Sequence, residues 1–413
     1  MHYVLYNRYR NCLYFHTIRR VFKIKMTWRK AIIFLIIVAL FSGFVFLYTC
    51  GNDSCSPNAI LPAVVSDISQ ITDSFNAYKD GRLPYNNFND TVFVESHPVN
   101  FDKEDVIVFL HIQKTGGTSF GRHLVKNLEL ESPCKCHRRK KRCDCYTSKK
   151  TIWLFSRYST GWVCGLHADW TELNSCVEEA MNKKEKKIRK RRYHYITVLR
   201  DPVKRFLSEW KHVQRGATWK TAKLVCNGHS AVGNEVPLCF NGTDWSDVTL
   251  DEFLSCKHNL AKNRQTRMLA DLAKVNCYNT SSMTPEDRDQ KILDSAKENL
   301  LNMDFFGLTE FQLRTQKLFE YTFDIHFKKE FEQLPVTHSD RTDISKRQKS
   351  EILEQNKLDI ALYQYAKDLF LQRTKKMREK TGDTFVERDY DLLETKDQFD
   401  DSVDFADDED DDS

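Results

Sequence analysis

The first thirty residues contain no aspartate or glutamate, and the last seventeen contain no lysine or arginine. The first absence rules out a charge-balanced surface at the amino end, where Arg8, Arg10, Arg19, Arg20, Lys23, Lys25, Arg29 and Lys30 stand alone. Behind them Ala31–Tyr48 carries no charge of either sign. An apolar helix needs about 20 residues to cross a bilayer, and Thr49 and Cys50 extend the run to that length. The one-sided basic arm belongs in the cytosol. A cleaved signal peptide would have a shorter apolar core ending in small residues, whereas Phe44, Phe46, Leu47 and Tyr48 fill this end. Residues 1–30 therefore read as a cytosolic basic tail, 31–50 as an uncleaved transmembrane signal anchor, and everything beyond as facing a lumen or the outside. The second absence has its own consequence. From Asp397 onward there are ten acidic residues, too polar to bury enough apolar surface for order, so 379–413 read as an acidic disordered tail.

No internal repeat breaks up the rest. Residues 51–102 are rich in Asn, Ser, Asp and Pro, as suits a luminal stem. Residues 103–378 keep a continuous apolar periodicity, long enough for one large α/β domain with its own core. Ten of the thirteen cysteines lie between Cys134 and Cys277, a density that an oxidising lumen turns into disulfides. Cys134, Cys136, Cys143 and Cys145 lack the Cys-x2-Cys spacing common in zinc sites, so they read as a stapled loop, and no metal is expected. Asn89, Asn241 and Asn279 each open an N-glycan acceptor triplet.

The net charge of +5 comes from 63 basic and 58 acidic residues. Without the eight cations of the arm and the ten anions of the tail, 55 and 48 remain, near +7. The cations cluster in Lys135–Arg142 and Lys183–Arg192, which would concentrate a polyanion, although such runs are as often plain solvated faces. The luminal placement excludes nucleic acid.

Two segments carry the chemistry. Val106–Ile112 is a continuous apolar run, the pattern of a strand buried on both faces in a parallel sheet. Gln113-Lys-Thr-Gly-Gly-Thr-Ser119 follows, and Phe120, Leu124 and Leu128 then recur at helical spacing. This is strand, phosphate loop, helix. Gly116 and Gly117 allow a tight turn that presents N–H groups, with the helix dipole aimed at the same anion. Lys114 can neutralise a leaving phosphate, and Thr115 and Thr118 supply hydroxyls. Because the lysine precedes the glycines, the loop differs from the ATPase pattern Gly-x4-Gly-Lys-Ser/Thr. The second unit runs from the strand Tyr193–Leu199 through Arg200 into a helix capped by Asp201, with Pro202 at its first position. Val203, Phe206, Leu207, Trp210 and Val213 form its apolar face. Arg200 then stands at the carboxyl end of a strand, where open α/β sheets bind ligands, and with Ser208 it can clamp a second phosphate.

His111-Ile-Gln-Lys-Thr-Gly-Gly-Thr118, Gly165-Leu-His-Ala-Asp-Trp170, Leu199-Arg-Asp-Pro202 and Ser208–Trp219 together closely resemble the heparan sulfate 6-O-sulfotransferases. The likeness runs from about Val106 to Arg373, through Asn263–Asp271 and Phe305–Phe311. It implies a P-loop-like sulfotransferase fold with a central parallel sheet flanked by helices, the donor 3'-phosphoadenylyl sulfate, and heparan sulfate as acceptor. It also implies a Golgi membrane location with single-pass type II topology, and other heparan-modifying enzymes as partners. The loop from His111, Ile112 and Gln113 to Thr118 would hold the 5'-phosphosulfate, Arg200 and Ser208 the 3'-phosphate, and Thr337 the adenosine end.

Sulfuryl transfer needs a base for the acceptor hydroxyl. A loop histidine such as His167 is more often packed than catalytic, and the resemblance is what favours it, with Asp169 as orienter. His111 and His212 are rivals. Along an acceptor groove we expect Lys140, Lys141, Arg157, His212 and Arg215, with Trp162 and Trp219 as platforms for sugar rings. Two other readings share parts of this pattern: a luminal nucleotide-dependent kinase, which would need a magnesium carboxylate, and a non-catalytic heparan-binding membrane protein, which would have no use for Lys114 or Arg200.

Overall fold

Apolar runs flanked by polar ends become the strands of a parallel sheet. In the computed structural model, which describes residues 98–101, 104–231, 233–332 and 342–382, β1 (Asp105–Leu110) is buried along its whole length. It pairs in parallel with β5 (Arg192–Leu199), in the register Val106 to Tyr193 through Leu110 to Thr197. The strand expected to reach Ile112 stops at Leu110, because His111 and Ile112 already turn off the sheet. β4 (Leu154–Phe155) adds to the other side of β1, and β8 (Phe305–Leu308) to the other side of β5, so the order is β4-β1-β5-β8, all parallel. The expected central parallel sheet flanked by helices is present. The basic tail, the anchor, the acidic tail beyond Gly382, Asn89, Thr337 and nearly all of the stem lie outside the described residues. Among the described residues no helix is long and apolar enough to cross a membrane.

Helices cover both faces of the sheet. α1 (Gly117–Lys126) buries Phe120, Leu124 and Val125, while Leu128 lies past its end and bridges to Phe327. α2 (Trp170–Glu185) precedes β5, and α3 (Pro202–Gln214) follows it. Next come the short hairpin β6 (Val225–Cys226) and β7 (His229–Ser230), then α4 (Leu250–Ser255) and α5 (Arg264–Leu269). α6 (Pro285–Asn302) leads into β8, and α7 (Gln312–Phe323), α8 (Lys346–Gln355) and α9 (Lys357–Thr381) complete the unit. Phe120, Phe305, Phe319, Phe327 and Phe331 cluster by α1, Phe120 stacked on Phe305 and the other pairs edge to face or tilted, with ring centroids 4.7 to 5.9 Å apart in the pairs Phe327–Phe331 and Phe120–Phe319. Each such pair adds about 1 kcal/mol beyond the area it buries. A second cluster, Phe206, Leu207, Trp210 and Val213 of α3 with Phe253 and Ile352, uses the apolar face read from sequence.

All ten cysteines from Cys134 to Cys277 are paired. Cys134–Cys145 and Cys136–Cys143 are two rungs across the hairpin β2 (Lys135–Cys136) and β3 (Cys143–Asp144), so the four thiols a metal would use are bound to each other. Cys164–Cys176 ties a loop to α2, and Cys226–Cys277 and Cys239–Cys256 fix the chain after α3. Asn241 and Asn279 are exposed, as a glycan acceptor must be.

Because the sheet is parallel, the carboxyl ends of β1, β5 and β8 share one edge, and the loops that leave them converge there. α3 starts as predicted, with the Asp201 carboxylate accepting the N–H of Lys204 at 2.9 Å and Pro202 in the first turn. Asp201→Ala is expected to cost about 1 kcal/mol, a fall in the thermal midpoint of about 2–4 °C, measurable by scanning fluorimetry.

Candidate active site

The first strand-to-helix corner is shaped by two left-handed residues. Gly116, at φ 76°, tolerates this conformation; Lys114, at φ 63°, carries a Cβ and pays about 1 kcal/mol for it. Strain of this kind persists only where the surroundings fix it, and here they do. The Thr309 hydroxyl, just past β8, donates to the Thr115 carbonyl at 2.7 Å, and Arg200 Nη1 donates to the Lys114 carbonyl at 3.3 Å. Gly116 caps α1 without a side-chain hydrogen bond, and the positive end of the helix dipole suits an anion at this corner. Gly117 is needed for a different reason. A Cβ there would stand 2.3 Å from the His111 ring.

The second corner places Arg200 at the end of β5. Its peptide is gripped on both sides by Gln265, which accepts the Arg200 N–H and donates to the Arg200 carbonyl, each at 2.9 Å. The N–H of Asp201 donates to Glu310 at 2.9 Å, and Tyr363 donates to the other Glu310 oxygen at 2.6 Å. Burial and the neighbouring Asp201 charge push the Glu310 carboxyl up.

Both corners open into one cavity of about 190 Å³. His111, Gln113, Lys114, Gly116, Gly117 and Thr118 line it from the first corner, and Arg200, Ser208 and His212 from the second. Arg157, His167 and Trp219 close it. A larger cavity of about 490 Å³ shares Gln113, His167 and Trp219 with it. Another cavity, about 880 Å³, includes Asp105 and Arg192, the first residues of β1 and β5. It therefore lies at the amino ends of the strands, away from the edge where open α/β sheets bind ligands.

His167 is buried and itself left-handed, at φ 50°. Its Nδ1 lies 3.0 Å from the His111 carbonyl oxygen. A carbonyl can only accept, so Nδ1 carries the hydrogen, and in the neutral tautomer the lone pair is on Nε2. The expected orienter was Asp169, and the structure corrects this. The Asp169 carboxylate caps α2, accepting the Glu172 N–H at 3.0 Å and the Tyr278 hydroxyl at 3.3 Å. Glu172 completes the capping box and accepts the Val225 N–H at 3.0 Å. Burial pushes Asp169 up to about 6; burial and the Asp169 charge push Glu172 up to about 7.

Other expected residues stand elsewhere. Ile112 is fully buried, and Thr115 turns its hydroxyl inward to the Ile112 carbonyl at 3.1 Å, so it offers the cavity no donor. Trp162 sits behind the lining, its ring 4.5 Å from that of His167 and 5.9 Å from that of His111, with Arg157 above it at 5.3 Å. Lys140 and Lys141 are exposed on the β2–β3 hairpin rather than in the cavity, and Arg215 ends α3. Beneath Trp219, the guanidinium of Arg264 lies 5.2 Å from the ring and bonds the buried Glu209, which Arg205 also binds. Burial alone would raise Glu209, but the two guanidiniums hold it below the usual range. Sequence reasoning missed Thr309, Gln265 and Glu209. All three lie within segments that carried the resemblance: Glu209 in Ser208–Trp219, Gln265 in Asn263–Asp271 and Thr309 in Phe305–Phe311.

A family model described as the sulfotransferase family matches residues 97–366. The chain therefore carries a sulfotransferase domain, and the sheet edge with its two corners lies within the matched residues. Heparan-sulfate 6-O-sulfotransferase 2 of Gallus gallus is 49% identical over 357 residues, covering 85% of this chain and 88% of that protein. Heparan-sulfate 6-O-sulfotransferase 3-B of Danio rerio is 54% identical over 295 residues, 71% of this chain and 70% of that one. Heparan-sulfate 6-O-sulfotransferase 2 of Danio rerio is 46% identical over 368 residues, 84% and 78%. The chain belongs to the heparan sulfate 6-O-sulfotransferase family.

The Asp169–Glu172 pair sets a pH dependence. Both carboxyls bind protons more tightly folded than unfolded, so their contribution to stability is full below about pH 4 and declines as pH rises through about 6 to 7. In thermal melts from pH 4.5 to 8, Glu172→Gln is expected to flatten this part of the decline relative to the parent chain.

Proposed function

We propose that the chain transfers the sulfuryl group of 3'-phosphoadenylyl sulfate to the 6-hydroxyl of glucosamine residues in heparan sulfate. The observation that carries this reading is the single cavity lined by Lys114, Arg200, Ser208 and His167. The donor set fits a nucleotide with two separate phosphate groups. An uncapped helix start with Lys114 suits the phosphosulfate, and Arg200 with Ser208 suits the 3'-phosphate. When bound, the donor supplies its own activated sulfur.

The residues of the chain then have distinct work. Nε2 of His167, with its lone pair directed by the Nδ1–carbonyl bond, takes the proton of the acceptor hydroxyl as the new S–O bond forms. Lys114 neutralises the phosphate oxygen as the old S–O bond breaks. Arg157 and His212 orient an anionic sugar chain, and Trp219 offers it an aromatic edge. Lys140 and Lys141 would meet that chain outside the cavity, and Thr337 would close over the adenosine. Among the described residues the lining holds no carboxylate, whereas magnesium-dependent phosphoryl transfer uses one, and this supports sulfuryl transfer over a kinase. Five disulfides among the described residues support an oxidising lumen, in keeping with a Golgi enzyme on a type II signal anchor.

The test is disaccharide analysis of heparan sulfate after incubation with labelled donor, where label is expected on the 6-position of glucosamine. Lys114→Ala and His167→Ala should each lower kcat by on the order of a hundredfold or more while the purified proteins keep their thermal midpoints. Unchanged turnover would remove the substituted residue from the mechanism.

A further inference from the structure

The two basic runs are about forty residues apart in sequence, yet the fold brings them to one surface. The hairpin β2–β3 carries Lys135, Arg138, Arg139, Lys140, Lys141 and Arg142, and its two disulfide rungs hold this charge against its own repulsion. The carboxylate on β3, Asp144, is taken by His137 at 3.0 Å. Arg142 lies across Gly161, its Cδ 3.2 Å from where a Cβ would stand. The next residue is Trp162, the ring packed against His167.

Just past β3, Tyr146 bridges to Ile152, whose N–H donates to Glu185 of α2, so the base of the hairpin and the end of α2 are neighbours. Lys184 sits close enough to Arg142 that, after burial, this charge helps lower its ammonium pKa. α2 is bolted to the Trp162 loop by Cys164–Cys176; Lys184 is eight residues further on, about 12 Å along the helix. Glu185 fixes this end by accepting the Ile152 N–H at 2.7 Å, and its charge is taken by Arg189 and Arg191. Glu178 and Glu179, about one turn before Lys183, are the other acids on this part of α2. Lysines at a helix end complement its dipole. That accounts for Lys183 and Lys184, but not for the hairpin base that carries Arg142 being tied beside this helix end.

We propose that Arg142, Lys183, Lys184 and Lys187 form a polyanion track leading from the Trp162 loop to the end of α2, an exosite for sulfated polysaccharide several sugars from the reacting hydroxyl. This rests on the proposed acceptor. The track gathers a long chain by charge, and a short acceptor does not reach it.

The test uses the full-length protein with Lys183, Lys184 and Lys187 changed together to Ala. On immobilised heparin the variant should elute at lower salt, with a shallower dependence of affinity on salt because fewer counterions are released. The KM for long heparan sulfate should rise about tenfold, exposed charge contacts being individually weak and three being removed, with kcat and the kinetics on a tetrasaccharide acceptor unchanged. Removing Lys375, Arg378 and Lys380 from the end of α9 takes off equal charge and should shift neither measurement. Unchanged heparin elution, an equal effect of the α9 variant, or weakened binding only to phosphatidylcholine–phosphatidylserine vesicles would each overturn the track. If the parent chain sulfates neither acceptor, the proposed function falls, and heparin elution still decides the exosite.

Discussion

The arrangement depends on holding three parallel strand ends together at one edge of the sheet. Left alone, the loop after β1 would relax, because Lys114 is held in a backbone region that side chains resist. It is restrained by neighbours from distant sequence. Arg200 donates to it from β5, and Thr309 donates to Thr115 while its own N–H binds the Leu199 carbonyl at 2.9 Å. The phosphate loop, the second corner and the end of β8 thus move as one body. The spacing between two anion sites becomes a property of the sheet rather than of any flexible loop.

Behind this edge lies a buried polar framework. Gln265 grips the Arg200 peptide, and Asp359 of α9 accepts the N–H groups of Gln265 and Thr266 at 3.1 and 2.8 Å. Glu209, Arg205 and Arg264 pair beneath Trp219. Removing one member would strand a buried partner, so these groups specify geometry more than they add stability. The long helix α9 reaches the donor corner through Asp359 and through Tyr363, whose hydroxyl binds Glu310.

Much of this was legible because the central strands are buried on both faces and so appear as unbroken apolar runs, with glycine or Asp-Pro at their ends. β4 and β8, with two and four residues, are too short to carry a pattern. Asp169 was misassigned because closeness in sequence was taken for closeness in space. Its place immediately before α2, with Glu172 three positions on, is the signature of a capping box, and that demand won. Thr115 shows the same limit: a hydroxyl in a phosphate loop has two directions, and only the fold decides between the ligand and the preceding carbonyl. The supports Gln265, Thr309 and Glu209 act on main chain or from beneath, a role that leaves no local pattern.

The close approach of Gly117 to the His111 ring links two positions whose roles look separate. One belongs to an anion-binding turn; the other supplies, through its main-chain oxygen, the hydrogen-bond acceptor for His167. Any side chain introduced at the turn would have to displace the imidazole at 111, and that residue's carbonyl is the acceptor for His167. The shape of the turn and the aim of the His167 ring therefore cannot be altered independently: a variant that reshapes one inherits a change in the other.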